Sequence, residues 1–247
     1  AAGAYGFREF TLAKKGAQMG GGAANIVRQF NELAVVGDPS FISPYWIAQA
    51  TPRWEDASIR IVEYADYLCP DCLFLHQQIT RLKAEFPGKM NVAFQFFPLE
   101  AACNAVVEKD LHPGACDLSY LAAHDPARFP ALHEEIFAGY PETKKPEWRE
   151  DLMRRYGLEA ALSDPATRDM IRRIIETGAE YEKTSDRYSH GIRSTPTLII
   201  NGRMLIGTLP DAHMKAILAS LLEGQAAGPG TGRFLENWVE TKPAPKK

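Results

Sequence analysis

Four cysteines are the residues of this 247-residue chain that are best suited to chemistry by type and spacing. A Cys-Pro-Asp-Cys sequence runs from Cys69 to Cys72, and Cys103 and Cys116 form a looser second pair. A Cys-x-x-Cys sequence alone is ambiguous, because zinc modules and redox-active dithiols both use it. Two pairs would suit two disulfides in an oxidising compartment. The predicted secondary-structure elements around Cys69 and Cys72 must therefore decide between a zinc module and a redox-active dithiol.

Those elements favour redox chemistry. Residues 58–64 alternate in polarity and predict a strand, and apolar positions at steps of three and four predict a helix over 70–86. Pro70 suits the first helical position, where its missing N–H removes no hydrogen bond. Cys69 therefore lies at or beside the N-cap, where unpaired N–H groups and the helix dipole lower a thiol pKa. Cys72 begins the apolar face, so we expect Cys69 to attack and a buried Cys72 to resolve the mixed disulfide.

The two residues between the cysteines are expected to tune this chemistry. A carboxylate about 7 Å from Cys69 opposes the thiolate by about 0.6 to 1.2 kcal/mol. The helix dipole favours the thiolate by about 0.3 to 2 kcal/mol, which is comparable. With Pro70 fixing the helix start, Asp71 predicts a less oxidising disulfide than a histidine at the same position would give. The alternative is that Asp71 is solvated and screened.

Further along the chain, the pattern returns to strands after a helical stretch. Residues 90–97 predict a second strand, which the helix connects to the first as a parallel pair. Residues 117–189 have helical character broken by proline and glycine, which predicts a helical insertion. Residues 197–200 and 203–206 flank Asn201-Gly202, a strong hairpin signal.

The length suits one large domain or a small domain with an insertion. One helical signal lies in the otherwise irregular N-terminal part; the helix packs on the chain's own core or joins subunits. We divide the chain into an N-terminal arm or linker (1–57), an α/β core (58–116 and 190–223), the helical insertion (117–189) and a C-terminal tail (224–247).

Composition excludes some classes of function. With a net charge of -3 and no long Lys/Arg cluster, the chain lacks the signature of a nucleic-acid binder. No apolar run reaches the roughly 18 residues that span a bilayer, and the first residues lack a secretory signal. The chain begins with alanine, which suggests a processed or excised product.

Two separated motifs together carry a family resemblance. Glu63-Tyr64-Ala65-Asp66-Tyr67-Leu68-Cys69-Pro70-Asp71-Cys72, with Ser194-Thr195-Pro196-Thr197 before the hairpin, resembles the DsbA-like family of bacterial thioredoxin-fold oxidoreductases. The resemblance covers about residues 58–223. It implies an α/β thioredoxin fold, in which a central mixed sheet is flanked by helices, and a thiol-disulfide oxidoreductase without cofactor or metal. In that family the proline matching Pro196 is cis and faces the cysteines, so Thr195 and Pro196 are expected to hold the substrate peptide.

Glu63 corresponds to the family's buried acid, six residues before the first cysteine. Glu63 is on the same face of the predicted strand as the apolar residues Ile59 and Ile61, and this face is an unusual place for a charge. Held there, Glu63 would have a raised pKa and shuttle the proton of Cys72. The alternative is an exposed glutamate paired with a basic neighbour.

The segment from Phe97 to Cys116 is similar to a pattern in DsbA-like domains linked to vitamin K epoxide reductase homologues. We favour a structural disulfide between Cys103 and Cys116; closing a loop of about 14 residues contributes roughly 3 kcal/mol. The competing idea is a second dithiol that relays electrons.

The sequence thus predicts a disulfide oxidase for reduced or misoxidised exported polypeptides. It would act in the periplasm or another extracytoplasmic space, with a membrane tether as one option, and a quinone-linked membrane reductase homologue, vitamin K epoxide reductase-like or DsbB-like, would reoxidise it. The alternatives are a disulfide reductase or isomerase, a periplasmic chaperone or binding protein with a non-catalytic pair, and a zinc module using the four cysteines and His112.

Overall fold

The structure is a computed structural model that describes residues 22–183 and 191–224, together with the backbone of 234–236. The first part of the predicted arm, the end of the predicted insertion with residue 190, and most of the predicted tail lie outside the described residues. Within the described part, no helix is both long and apolar enough to cross a lipid bilayer.

The described residues include six strands, numbered along the chain, which form one mixed sheet in the order β1-β3-β2-β4-β5-β6. Strands β2 and β3 pair in parallel, as the strand-helix-strand pattern predicts, and β4 runs antiparallel to both β2 and β5. β1 is antiparallel to β3, and β6 is parallel to β5. The strands are Trp46–Gln49 (β1), Ile59–Ala65 (β2), Met90–Phe96 (β3), Thr197–Ile200 (β4), Arg203–Ile206 (β5) and Phe234–Glu236 (β6).

Helices pack around this sheet and complete two clusters of buried apolar side chains. One cluster joins the first, second and seventh helices to residues of β2, β3, β4 and β5. The other joins the third to sixth helices, and Cys72 at the start of the second, to other residues of the same four strands. The helices are Ala23–Asn31 (α1), Pro70–Glu85 (α2), Ala115–Ala123 (α3), Phe129–Ala138 (α4), Pro146–Tyr156 (α5), Pro165–Thr177 (α6) and Asp211–Leu222 (α7).

Part of the predicted arm belongs to the sheet. Trp46–Gln49 forms the edge strand β1, which local periodicity did not reveal because its four residues gain their partner from a distant strand. Helix α1 buries Ile26 and Phe30 against the protein's own core, which agrees with the first of the two roles considered for it. The division into domains otherwise stays a prediction.

Candidate active site

Cys69 occupies the N-cap of α2, four residues after the end of β2. Its backbone is extended (φ -80°, ψ 121°), and Pro70 takes the first helical position. The Cys69 carbonyl accepts hydrogen bonds of 3.1 Å from the backbone N–H groups of Cys72 and Leu73, which close the first turn. Cys69 is 6% exposed and Cys72 is 0% exposed. The first cysteine is therefore the one that a substrate sulfur can reach.

The two thiols have opposite pKa shifts. A hydrogen bond from Cys72 lowers the pKa of Cys69, although burial and the charge of Asp66 oppose this. The first-turn N–H of Cys72 and the side chain of Thr195 lower it further. Burial raises the pKa of Cys72 well above its usual value, and the hydrogen bond and charge of Cys69 add to the effect. A thiolate therefore forms at Cys69 first, while Cys72 keeps its proton.

Thr195 and Pro196 lie beside the first cysteine, immediately before β4. The peptide bond between them is cis, and the Cys69 thiol donates a 3.4 Å hydrogen bond to the Thr195 carbonyl. The Thr195 hydroxyl is buried without a hydrogen-bond partner among the described residues. It can therefore donate to the Cys69 thiolate once that forms. Their role in holding a substrate peptide stays a prediction.

Glu63 is 0% exposed at the centre of the sheet, where its register partners are Phe94 in β3 and Leu198 in β4. Within the described residues neither carboxyl oxygen has a hydrogen-bond partner. Burial, followed by the charge of Cys69, raises the pKa of Glu63 to about 8. The alternative of an exposed glutamate paired with a basic residue is wrong, because the side chain is fully buried and its oxygens have no partner among the described residues.

The pairing of Asp66 with His112 is a part of the site that sequence reasoning missed, because His112 was considered as a zinc ligand and Asp66 was noted within the family motif alone. Asp66 accepts 2.7 Å hydrogen bonds from the backbone N–H groups of Leu68 and Leu99, and one of its oxygens lies 2.9 Å from His112 Nδ1. Burial lowers the pKa of His112, but the hydrogen bond and charge of Asp66, with the charge of Cys69, raise it overall. The sequence signal that could have identified Asp66 as a site residue is its position, just after a predicted strand and three residues before Cys69.

The remaining predicted site residues are the two between the cysteines, Pro70 and Asp71, and the second cysteine pair. Asp71 is 4% exposed, so the alternative of a solvated, screened carboxylate is wrong, whereas its tuning role and that of Pro70 stay predictions. Cys103 and Cys116 form a disulfide. Two of the thiolates that a zinc module would need are thus bonded to each other. A structural or an electron-relaying role for this disulfide stays open.

A family model described as thioredoxin matches residues 54–220, and the chain belongs to this family. Disulfide bond formation protein D of Bacillus subtilis (strain 168) is 26% identical over 214 residues, which cover 81% of this chain and 86% of that protein. A Na(+)/H(+) antiporter, NhaA 1 of Mycolicibacterium gilvum, is 28% identical over 181 residues. This match covers 71% of the chain but 26% of the antiporter.

Solved structures confirm the predicted thioredoxin fold. Oxidised BdbD from Bacillus subtilis aligns with a TM-score of 0.55 at 21% identity, covering 78% of this chain and 100% of that chain. The catalytic domain of Proteus mirabilis ScsC aligns with a TM-score of 0.53 at 19% identity, covering 73% and 93%. With the family match and the relative named for disulfide bond formation, the chain is a DsbA-like thiol-disulfide oxidoreductase, as predicted.

Proposed function

We propose that the protein is a disulfide oxidase. The observation that carries this proposal is the position of Cys69 at the N-cap of α2 with Cys72 fully buried behind it. This geometry lowers the pKa of Cys69 and raises that of Cys72. A stabilised Cys69 thiolate favours the reduced pair, and a disulfide whose reduced form is stabilised is the stronger oxidant. The charge of Asp66 raises the pKa of Cys69 and so limits this effect.

The oxidised pair accepts two electrons from a substrate. A substrate thiolate attacks the sulfur of Cys69, which forms a mixed disulfide and breaks the bond to Cys72. Cys72 leaves with the electron pair and takes a proton from Glu63. A second thiolate of the substrate then attacks the substrate sulfur that is bonded to Cys69 in the mixed disulfide. A substrate disulfide forms, and Cys69 departs as a thiolate. Thr195 and Pro196, beside Cys69, hold the substrate backbone during these steps.

We further propose that the substrates are exported polypeptides in an extracytoplasmic space. Support comes from the Cys103–Cys116 disulfide, since such bonds persist in oxidising compartments, and from the relative named for disulfide bond formation. Reoxidation falls to a quinone-linked membrane reductase homologue of the vitamin K epoxide reductase or DsbB type. Similarity to a segment of a membrane antiporter is consistent with a tether to the membrane in a longer product.

The reduction potential of the Cys69–Cys72 pair tests the oxidase proposal. Equilibration with glutathione buffers, followed by alkylation and mass analysis, reports the reduced fraction. We expect a reduction potential above about -200 mV, because that of DsbA is about -120 mV and that of thioredoxin is about -270 mV. A value close to that of thioredoxin would instead identify a reductase.

An insulin-reduction assay separates catalysis from the chaperone or binding alternative. The matched control is Cys69→Ser, which replaces one sulfur with oxygen and leaves the surrounding surface in place. Loss of turnover in Cys69→Ser supports thiol chemistry. Undiminished activity of this variant would contradict it, because only a binding function needs no thiol.

A further inference from the structure

A line of buried polar side chains runs from the protein surface to the region behind the cysteine pair. Tyr67 Oη lies 3.2 Å from His133 Nδ1, and His133 Nε2 lies 3.2 Å from His76 Nδ1. His76 Nε2 lies 3.3 Å from Glu134 Oε2. Tyr67, His133 and His76 are 1%, 2% and 7% exposed, whereas the Glu134 side chain is 56% exposed. Only the outer end of the line therefore meets bulk water.

The inner end of this line reaches the surroundings of Glu63. Phe94 is the register partner of Glu63 across β2 and β3, and the Tyr67 ring stacks on Phe94 with 5.3 Å between centroids. Burial and then the charge of Glu63 raise the pKa of Tyr67 well above its usual value. The phenol and the carboxyl group thus share one enclosed region on the same face of the sheet.

Each member of the line can both donate and accept a proton. With the proton of each imidazole on Nε2, the Tyr67 hydroxyl can donate to Nδ1 of His133, and the Nε2–H of His133 can donate to Nδ1 of His76. The Nε2–H of His76 then faces Glu134. This arrangement requires both imidazoles to be neutral. Burial agrees with it, because burial lowers the pKa of His133 well below its usual value and also lowers that of His76. The nearby charges on His76 are Glu134, which raises its pKa, and Lys83, which lowers it.

We propose that Tyr67, His133, His76 and Glu134 form a proton relay between Glu63 and solvent. This inference rests on the oxidoreductase mechanism proposed above. Glu63 passes its proton through one bridging water to the Tyr67 oxygen, and the Tyr67 proton moves to His133 Nδ1. The Nε2 proton of His133 moves to His76 Nδ1, and that of His76 moves to Glu134 and on to water. No net charge stays on the line.

The catalytic cycle also resets the relay. When Cys72 attacks Cys69 during reoxidation, its proton goes to Glu63 and one proton must leave the protein. When Cys72 departs from Cys69 during substrate oxidation, one proton must return to it. The hydrogens therefore move outward in one half-reaction and inward in the other, so each tautomer is restored after a full turnover.

A step that depends on the relay is closure of the disulfide by Cys72. Because the pKa of Glu63 is about 8, its carboxyl group is mostly protonated at pH 7. Its proton must leave before Glu63 can accept the proton of Cys72. At pH 9 the carboxyl group is already ionised, so closure should depend less on the relay.

The test follows the reaction of the reduced protein with glutathione disulfide, stopped by acid and analysed by mass. Attack by Cys69 adds glutathione, and closure by Cys72 removes it, so the two rates are measured separately. Tyr67→Phe should slow closure at least about tenfold at pH 7 and less at pH 9, since general acid-base steps contribute about 10² to 10⁴. The rate of Cys69 attack and the reduction potential should not change, because a relay alters no equilibrium.

The matched control is Tyr45→Phe, which removes a buried hydroxyl that donates to the Ala123 carbonyl at 2.7 Å in the same apolar cluster. His76→Gln, nearer the surface, is the second relay variant should Tyr67→Phe not fold. Closure in both relay variants at the rate of the control would overturn the relay, as would a reduction potential that shifts together with the rate. If the unmodified protein never closes its disulfide, the oxidase mechanism itself fails.

Discussion

Replacing Glu63 with glutamine should stabilise the protein at neutral pH much more than at pH 5. Burial raises the pKa of this carboxyl group from 4.5 to about 8. Below pH 4.5 both the folded and the unfolded chain keep Glu63 protonated, so the buried carboxyl group does not lower the folding stability. Between these pKa values only the unfolded chain ionises, so the stability of the wild type falls as pH rises.

The size of the effect follows from the two pKa values. Keeping Glu63 protonated lowers the free energy of unfolding of the wild type by about 1 kcal/mol at pH 5 and about 3 kcal/mol at pH 7, because each pKa unit corresponds to about 1.4 kcal/mol. Glutamine is neutral at both pH values and has nearly the same shape. The stability gained by Glu63→Gln should therefore increase by about 2.5 kcal/mol between pH 5 and pH 7.

Urea unfolding at the two pH values measures this difference. The substitution is best made in a Cys69→Ser/Cys72→Ser background, where no thiol titrates and no disulfide forms at the site. The loss of the Cys69 charge removes only the smaller of the two causes of the shift. An equal pH dependence with and without Glu63→Gln would refute the assignment of a buried, neutral carboxyl group.

Three further substitutions test separate parts of the site. Cys103→Ala/Cys116→Ala, which opens the second disulfide, should lower the free energy of unfolding in urea by about 3 kcal/mol, and an unchanged midpoint would contradict a structural role. His112→Gln should reduce the thiolate fraction of Cys69 at pH 6 by up to about tenfold, measured as a slower alkylation, since it removes the nearby imidazolium. Asp71→Asn should raise the reduction potential by at least about 13 mV, and a lower potential would show that the carboxylate does not oppose the thiolate.

Local patterns predicted the elements that present the two cysteines. The strand, the Cys-Pro-Asp-Cys turn and the helix are adjacent in sequence, so alternation, proline at the first helical position and helical spacing were sufficient to predict them. The hairpin around Asn201-Gly202 was predicted for the same reason, and its two strands have the expected bounds. Asn201 has a positive φ of 44° and Gly202 of 76°, which is the turn geometry that this dipeptide favours.

Contacts between distant segments could not be predicted in this way. His112 contacts Asp66 across 46 positions, and His76 contacts His133 across 57. No periodicity connects such residues, because their approach depends on how the insertion packs on the sheet. The edge strand β1 was missed for the same reason, since it is short and pairs with β3 more than 40 residues later.

The pH dependence of Cys69 alkylation tests the central claim most directly. The reduced protein is treated with iodoacetamide over a range of pH, and mass analysis identifies which cysteine is modified. We predict that the alkylation rate of Cys69 has a midpoint at a pH below the pKa of about 8.5 of free cysteine, while Cys72 stays unmodified throughout. A midpoint for Cys69 at or above that value, or equal reaction of both thiols, would contradict it.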